Sequence, residues 1–255
     1  MTETVTKEKL DDAVERFRHQ LDEWKKMPDK INDTVDNLKW YQPAVWAFVT
    51  PKRDAAQEWL QKLLEKMEEA HEGIQAPFTF IEYAAEWQSV ASTIRGAGNE
   101  EGRPELSLDG HWTGVAKDRF AASRSSQEKA MTTADDMAKK VHDNLLTLAT
   151  SGWELYKTIA DELTGFLASL VTALEQTGSV ALAYQGAPNL VAVTNAAFVL
   201  VEKTLTATVG QVRTQMIIAN EFKDIATNPW GFPGDRWPDS VSATFNEPKD
   251  WKVAE

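Results

Sequence analysis

The stretch Leu10-Asp11-Asp12-Ala13-Val14-Glu15-Arg16-Phe17-Arg18-His19-Gln20-Leu21-Asp22-Glu23-Trp24 decides the fold class. Its apolar residues Leu10, Val14, Phe17, Leu21 and Trp24 recur at spacings of four and three, the period of an α-helix, while charged and polar residues fill most of the other positions. A helix with one apolar stripe near a chain end is marginal until something packs on it. The same phase resumes at Ile31, Val35 and Leu38 beyond Pro28. A proline ring fits the first turn of a helix and disrupts its interior, so a break is expected near Met27.

Outward from this stretch, the helical period continues. The aromatic-rich segment from Trp40 to Phe48 contains Pro43 and reads as an inter-helix turn, after which Pro51 opens a helix carrying Trp59, Leu60, Leu63, Leu64 and Met67 on one face up to Gly73. A shorter helix runs from about Pro77 to Arg95, with Phe80, Tyr83, Ala84, Trp87, Val90, Ala91 and Ile94 as its apolar side. Residues 96–111 combine Gly, Pro and charge and read as a loop. From Val115, the spacing of Phe120, Ala130, Ala134, Met137, Val141, Leu145 and Leu148 supports a helix of about 35 residues, a bundle length.

Between Leu163 and Val201 the only charged residue is Glu175. Gly178, Gly186 and Pro188 punctuate that run, so it is expected to be a helical hairpin buried in the bundle rather than a clean membrane span of about 20 residues. The next helix starts at Asn189 and continues through Val209, Val212, Met216, Ile217 and Phe222. The segment 228–255 sets Trp230, Phe232, Trp237, Phe245 and Trp251 among Pro, Gly and Asp and reads as an extended tail suited to docking on a groove. No segment alternates in the manner of a strand.

Composition narrows the function. A chain of 255 residues with 42% hydrophobic and 26% charged residues can bury a core. A formal net charge of -12 repels phosphate backbones, which sets nucleic acid aside as a partner. The absence of cysteine removes disulfides, thiolate metal sites and cysteine nucleophiles. The N-terminus enters charged amphipathic sequence without the apolar region of a secretory signal, so export would take another route.

Phosphate loops, zinc helices, nucleophile elbows and calcium loops have no match. His19, His71, His111 and His142 are far apart, and the pairs Asp11-Asp12, Glu68-Glu69 and Asp135-Asp136 do not converge on a helix and read as solvated charge. The sequence therefore offers no catalytic, cofactor-binding or metal-binding residues. Ten tryptophans exceed the needs of a core of this size, and indole favours interfaces. Trp24, Trp59 and Trp87 read as helix-packing residues, whereas Trp40 and Trp46 are candidates for contact with another chain.

Residues Trp112-Thr113-Gly114-Val115-Ala116, with Phe120 following, place Trp-x-Gly between a loop and the start of the long helix. Glycine permits a tight turn there, the indole covers the end of a hairpin core, and Ala116 and Phe120 continue one helical face. With the upstream Tyr83-Ala84-Ala85-Glu86-Trp87, this resembles the WXG family of type VII secretion substrates, in particular its larger, EspB-like members. The chain departs from the family's Tyr-x-x-x-Asp/Glu signal: Tyr156 is followed by Ala160 at the required position, with Asp161 one residue late, and Tyr41, Tyr83 and Tyr184 do not fit.

The expected fold is an all-α, elongated helical bundle with a Trp-x-Gly helix-turn-helix hairpin and an extended C-terminal tail. Three regions are expected: 1–76 an N-terminal helical segment, 77–227 the WXG-like bundle with its apolar hairpin, and 228–255 the tail. The resemblance implies a non-catalytic protein that assembles with copies of itself or with a helical partner chain, and that the secretion ATPase recognises. It implies a cytoplasmic stage, then secretion or residence in the cell envelope by a signal-peptide-independent route. Trp112, Gly114, Phe120, Trp87, Trp40 and Trp46 are its expected interaction residues. The alternative is a membrane-active, pore-former-like protein that inserts the 163–201 hairpin; an adaptor, or an enzyme with an unrecognised site, is the third reading.

Overall fold

The computed structural model describes residues 5–103, 113–227, 229–232, 234 and 236–238. These hold six helices and no strand: α1 (Lys7–Lys25), α2 (Met27–Tyr41), α3 (Pro43–Glu72), α4 (Ala76–Glu101), α5 (Val115–Gly178) and α6 (Ala183–Thr227). The fold is an all-α helical bundle.

Local chemistry explains the first boundaries. The Thr6 hydroxyl accepts from the Lys9 N–H at 3.3 Å and caps α1, with Glu8 in the first turn and Lys25 in the last. Lys26 alone separates α1 from α2, and Pro28 sits in the first turn of α2, so the expected break near Met27 holds. The next boundary differs from the sequence reading. Only Gln42, extended at φ -148°, interrupts the helices, and α3 begins at Pro43. Pro51 therefore lies inside α3 and does not open it. An interior proline costs about 3 kcal/mol, which the burial of Val45 and Val49 before it and Ala56 after it offsets.

The later helices are longer than the sequence suggests. Helix α4 runs through Gly96 and Gly98 to Glu101, so the connection begins later than residue 96. The expected helix from Val115 and the first arm of the apolar hairpin are one 64-residue helix, α5. The hairpin turns over residues 179–182, directly after Gly178. Gly186 and Pro188 lie within α6. A Cβ on Gly186 would crowd the backbone of Thr177, so this glycine allows the two arms to approach closely rather than ending a helix.

The chain divides into two compact units, Met1–Ile81 with Thr147–Arg213, and Glu82–Leu146 with Thr214–Glu255. Each unit is built of two segments, where the sequence reading cut the chain at 76 and 227.

In the first unit the stripe of α1 is core. Leu10, Phe17 and Trp24 are fully buried among Leu60, Leu63 and Met67 of α3 and Ile159, Leu163 and Leu170 of α5. What packs on the stripe is thus the chain itself, through α3 and α5. Phe17 meets Tyr156 edge-on at 5.2 Å, and Trp59 stacks on Phe198 at 5.4 Å. The Tyr156 hydroxyl donates to the Ala70 carbonyl at 2.9 Å. Arg16 pairs with Asp161, and the Gln20 amide donates to Thr164 at 3.1 Å. The apolar hairpin contributes Leu163, Leu170, Ala173, Leu190, Ala197 and Val201 to this core, as expected. A second, smaller cluster joins Val35 and Leu38 of α2, Val45 and Val49 of α3, and Ala183 and Ala187 of α6.

The second unit is built differently. Among the described residues its buried ones are Ala84, Ala91, Ala116, Ala130, Met131, Ala138 and Pro238; the alanines are small enough to bring helix backbones close. Arg95 of α4 pairs with Asp135 of α5 at 3.2 Å, and Lys139 pairs with the same carboxylate. The segment after α6 packs on α5. Gly231 adopts φ +89°, and a Cβ there would stand 2.9 Å from the Ala130 nitrogen, so only glycine fits. Gln127 donates to the Pro238 carbonyl at 3.5 Å, and Phe232 meets Trp237 edge-on at 5.8 Å. Trp230 and Trp237, expected to dock on a groove, are exposed, and Phe232 is half-buried; Phe245 and Trp251 lie outside the described residues.

Candidate docking surfaces

The described residues contain no group of three or more acidic or histidine side chains placed to hold a metal ion. His142 turns its Nδ1 to the Ala84 carbonyl at 2.8 Å, and His19 and His71 are exposed, as expected for His19 and His71. Asp135 departs from the solvated reading of the Asp135-Asp136 pair. Burial pushes its carboxyl up, but the bonds from Lys139 and Arg95 outweigh that and hold it below the usual range. Asp135 faces a cleft beside Met131 and Thr132, while Arg95 and Lys139 line a neighbouring open cleft of about 520 Å³, with Ser89, Ser92 and His142 on its walls. Its two cations share one carboxylate, which leaves little charge to recruit an anion.

Tyr156 is the strongly perturbed group. Burial pushes its phenol up to about 12, and its hydroxyl is engaged within the core. It is a packing residue, not a displayed part of a tyrosine signal, and the neighbouring Asp161 is held low by Lys157 and Arg16.

Of the Trp-x-Gly motif, Trp112 lies outside the described residues. Gly114 has φ +94°, a conformation that L side chains rarely adopt, immediately before α5 begins. Open space surrounds the position of its absent Cβ, so backbone geometry and not crowding requires glycine. Ala116 is buried and Phe120 half-buried on the first turns of α5.

Trp87, read from sequence as a helix-packing residue, is 38% exposed. The apolar side of α4 splits. Ala84 and Ala91 point inward, while Tyr83, Trp87 and Val90, at spacings of four and three, form an exposed stripe. Trp24 and Trp59, in contrast, pack within the first unit as expected.

Trp40 and Trp46 do not share one loop. Trp40, near the end of α2, is 82% exposed, while Trp46 lies in the first turn of α3, half-buried against the smaller cluster, with Lys39 Nζ 5.6 Å from its ring. The sequence reading missed the neighbours of Trp40. Tyr41 is 81% exposed, and Val180 and Leu182 of the α5–α6 turn and Tyr184 of α6 are exposed at the same end of the unit. The smaller cluster, the Phe48–Tyr184 ring contact at 4.7 Å and the approach of Gly178 to Thr34 join these turns. The signal was present in charge: residues 40–51 and 176–201 contain no Asp, Glu, Lys or Arg.

No family model matches the chain, and no curated protein or solved structure matches it.

Proposed function

We propose that this chain is a non-catalytic helical assembly protein associated with type VII secretion, which works by docking a second helical chain. The observation that carries the reading is the stripe Tyr83, Trp87 and Val90 on α4. Aromatic residues dominate the energetics of protein interfaces, and i, i+4, i+7 spacing is the pattern by which one helix anchors on another. The small inward residues Ala84 and Ala91 let α4 pack within its own unit while these three stay free for a partner. In the first unit, α6 adds Val209 and Val212, exposed where its buried stripe of Leu190, Ala197 and Val201 runs beyond the core. The secretion association rests on Trp112-Thr113-Gly114 and on Tyr83 to Trp87, with a cytoplasmic stage before a signal-peptide-independent export. The left-handed backbone of Gly114 supports a structural need for that glycine.

Light scattering tests the assembly, on the chain alone at tens of micromolar and mixed with the helical product of any neighbouring gene. Association is expected, and Trp87→Ser is expected to weaken it by tenfold or more, on the order of a hot-spot residue. A monomeric mass under both conditions would sink the reading. Export of Trp112→Ala compared with wild type, in a host carrying a type VII system, tests the secretion link; equal export would remove it.

A second reading, insertion of the 163–201 hairpin into a membrane, is favoured by one observation. Helix α6 is long and apolar enough to cross a bilayer by length and composition, and little of it is buried. Against it stands the burial of Leu163, Leu170, Leu190, Ala197 and Val201, which insertion would have to undo.

A further inference from the structure

We propose that the end of the first unit formed by the α2–α3 corner and the α5–α6 turn docks on the interface of a zwitterionic lipid bilayer, with the bundle intact. Trp40, Tyr41, Val180, Leu182 and Tyr184 are all exposed there. Three of the five are tryptophan or tyrosine, whose rings combine an apolar body with one polar edge and so favour the headgroup level of a membrane. The other two are aliphatic and sit in a four-residue turn, the part of a helical hairpin able to enter the acyl boundary first.

Charge selects lipid, and selects its type. About a quarter of all residues in the chain are charged, yet the two segments that meet here, 40–51 and 176–201, carry none. A protein interface is normally rimmed by charged and polar groups, whereas a surface that enters a bilayer excludes them. Of the cations that flank segment 40–51, Lys39 lies against the Trp46 ring, Arg53 is neutralised by Asp36 at 3.2 Å and Asp54 at 2.9 Å, and Lys52 is the third. Among the described residues these three cations, two of them offset by Asp36 and Asp54 or held on a ring, do not form a basic patch for anionic headgroups, and the formal net charge of -12 opposes them. The contact is therefore apolar and aromatic. It uses side chains already exposed, so it needs no displacement of Leu170, Leu190 or any other core residue.

The smaller cluster gives the contact a rigid base. Val35, Leu38, Val45, Val49, Ala183 and Ala187 are buried directly behind the exposed residues, and the Phe48–Tyr184 contact fixes one corner to the other. Two turns held together present one surface, and the entropy of ordering them is already spent on folding.

Flotation of the full chain with phosphatidylcholine vesicles tests the proposal. The chain is expected to float with the vesicles, and 0.5 M salt is expected to leave the bound fraction unchanged, since screening acts on charge contacts that are absent here. The double variant Trp40→Ser, Leu182→Asp is expected to lower the partition coefficient about tenfold or more while leaving the helical circular dichroism and melting temperature at wild-type values. Trp230→Ser, an exposed indole of the second unit, is the control and is expected to bind as wild type. Absence of binding to phosphatidylcholine overturns the proposal, as does binding that needs anionic lipid and is lost in salt. Binding or dye release that survives the double variant overturns it too, because the membrane contact would then lie elsewhere. Protection of Trp40 by a protein partner, in a chain that ignores vesicles, would assign the same surface to protein.

Discussion

The core of the first unit holds large aromatic side chains, and among the described residues the core of the second holds none. Trp24, Phe17 and Tyr156 are buried in the first and touch side chains from three helices, whereas Tyr83, Trp87, Trp230 and Trp237 of the second are exposed over an interior of alanines. The difference is one of energy source. Burying a large side chain contributes about 1.5–3 kcal/mol or more, so the first unit has the larger source of stability in its own core. Alanine contributes little apolar area, so the second unit relies on close helix approach, the Arg95–Asp135–Lys139 pairs and the contacts of Gly231 and Pro238 with α5. Exposed ion pairs are worth little each. A unit that leaves its aromatics outside and keeps little inside is suited to exchange partners, and the other is suited to hold shape.

The largest effect should come from the first unit. Trp24→Ala is expected to cost about 3–5 kcal/mol in urea denaturation, the usual range for truncating a large buried aromatic. Part of that loss is offset, because the Trp24 indole N–H has no hydrogen-bond partner and is removed with the ring. A cost below about 1 kcal/mol would show that the first unit is not the stable one.

Tyr156 sharpens the same point through pH. Its phenol, ordinarily near 10, is pushed up to about 12 by burial. The folded state therefore keeps the proton longer than the unfolded state, and the contribution is complete below about pH 10 and lost as pH rises through about 12. The size is about 3 kcal/mol, to order of magnitude. Melting measured between pH 9 and 12 should fall more steeply for wild type than for Tyr156→Phe, and parallel curves would contradict the burial.

Smaller effects belong to the second unit. Gly114→Ala forces a side chain into a backbone at φ +94° and should cost about 1–3 kcal/mol, confined to the start of α5. No loss of stability would mean that this backbone relaxes freely. Trp87→Ser should change folding stability by no more than about 0.5 kcal/mol, as exposed substitutions do. A larger loss in the isolated chain would show that the indole packs at home, as the sequence alone suggests.

The helical class and the break near Met27 could be read from the sequence because they depend on local chemistry, the period of Leu10 to Trp24 and the first-turn proline at Pro28. The hairpin turn, in contrast, was read only to within 178–188, and the next helix starts at Ala183, not Asn189. What covers the stripe could not be read. Periodicity reports that a face is buried, and its cover, Leu60 of α3 and Ile159 of α5, is distant in sequence. Pro51 misled because its helical cost is local, while the burial of Val45 and Val49 that offsets it is tertiary. The split of the α4 face was hidden for a related reason: Tyr83 and Ala84 are adjacent, and only packing decides which turns inward. The surface at Trp40 and Tyr41 was half legible, since the aromatics showed in sequence and their meeting with Val180 and Leu182 did not.

Hydrogen exchange followed by mass spectrometry, on dilute chain and on chain at tens of micromolar or mixed with its helical partner, tests the central claim most directly. In dilute chain the amides around Leu10 to Trp24 and Leu60 to Met67 should exchange only with global unfolding, and those around residues 82–94 should exchange through local opening. Association should slow residues 82–94 and leave the first core unchanged. Exchange at 82–94 as slow in dilute chain as in the first core, or unaltered by association, would contradict an assembly built on Tyr83, Trp87 and Val90.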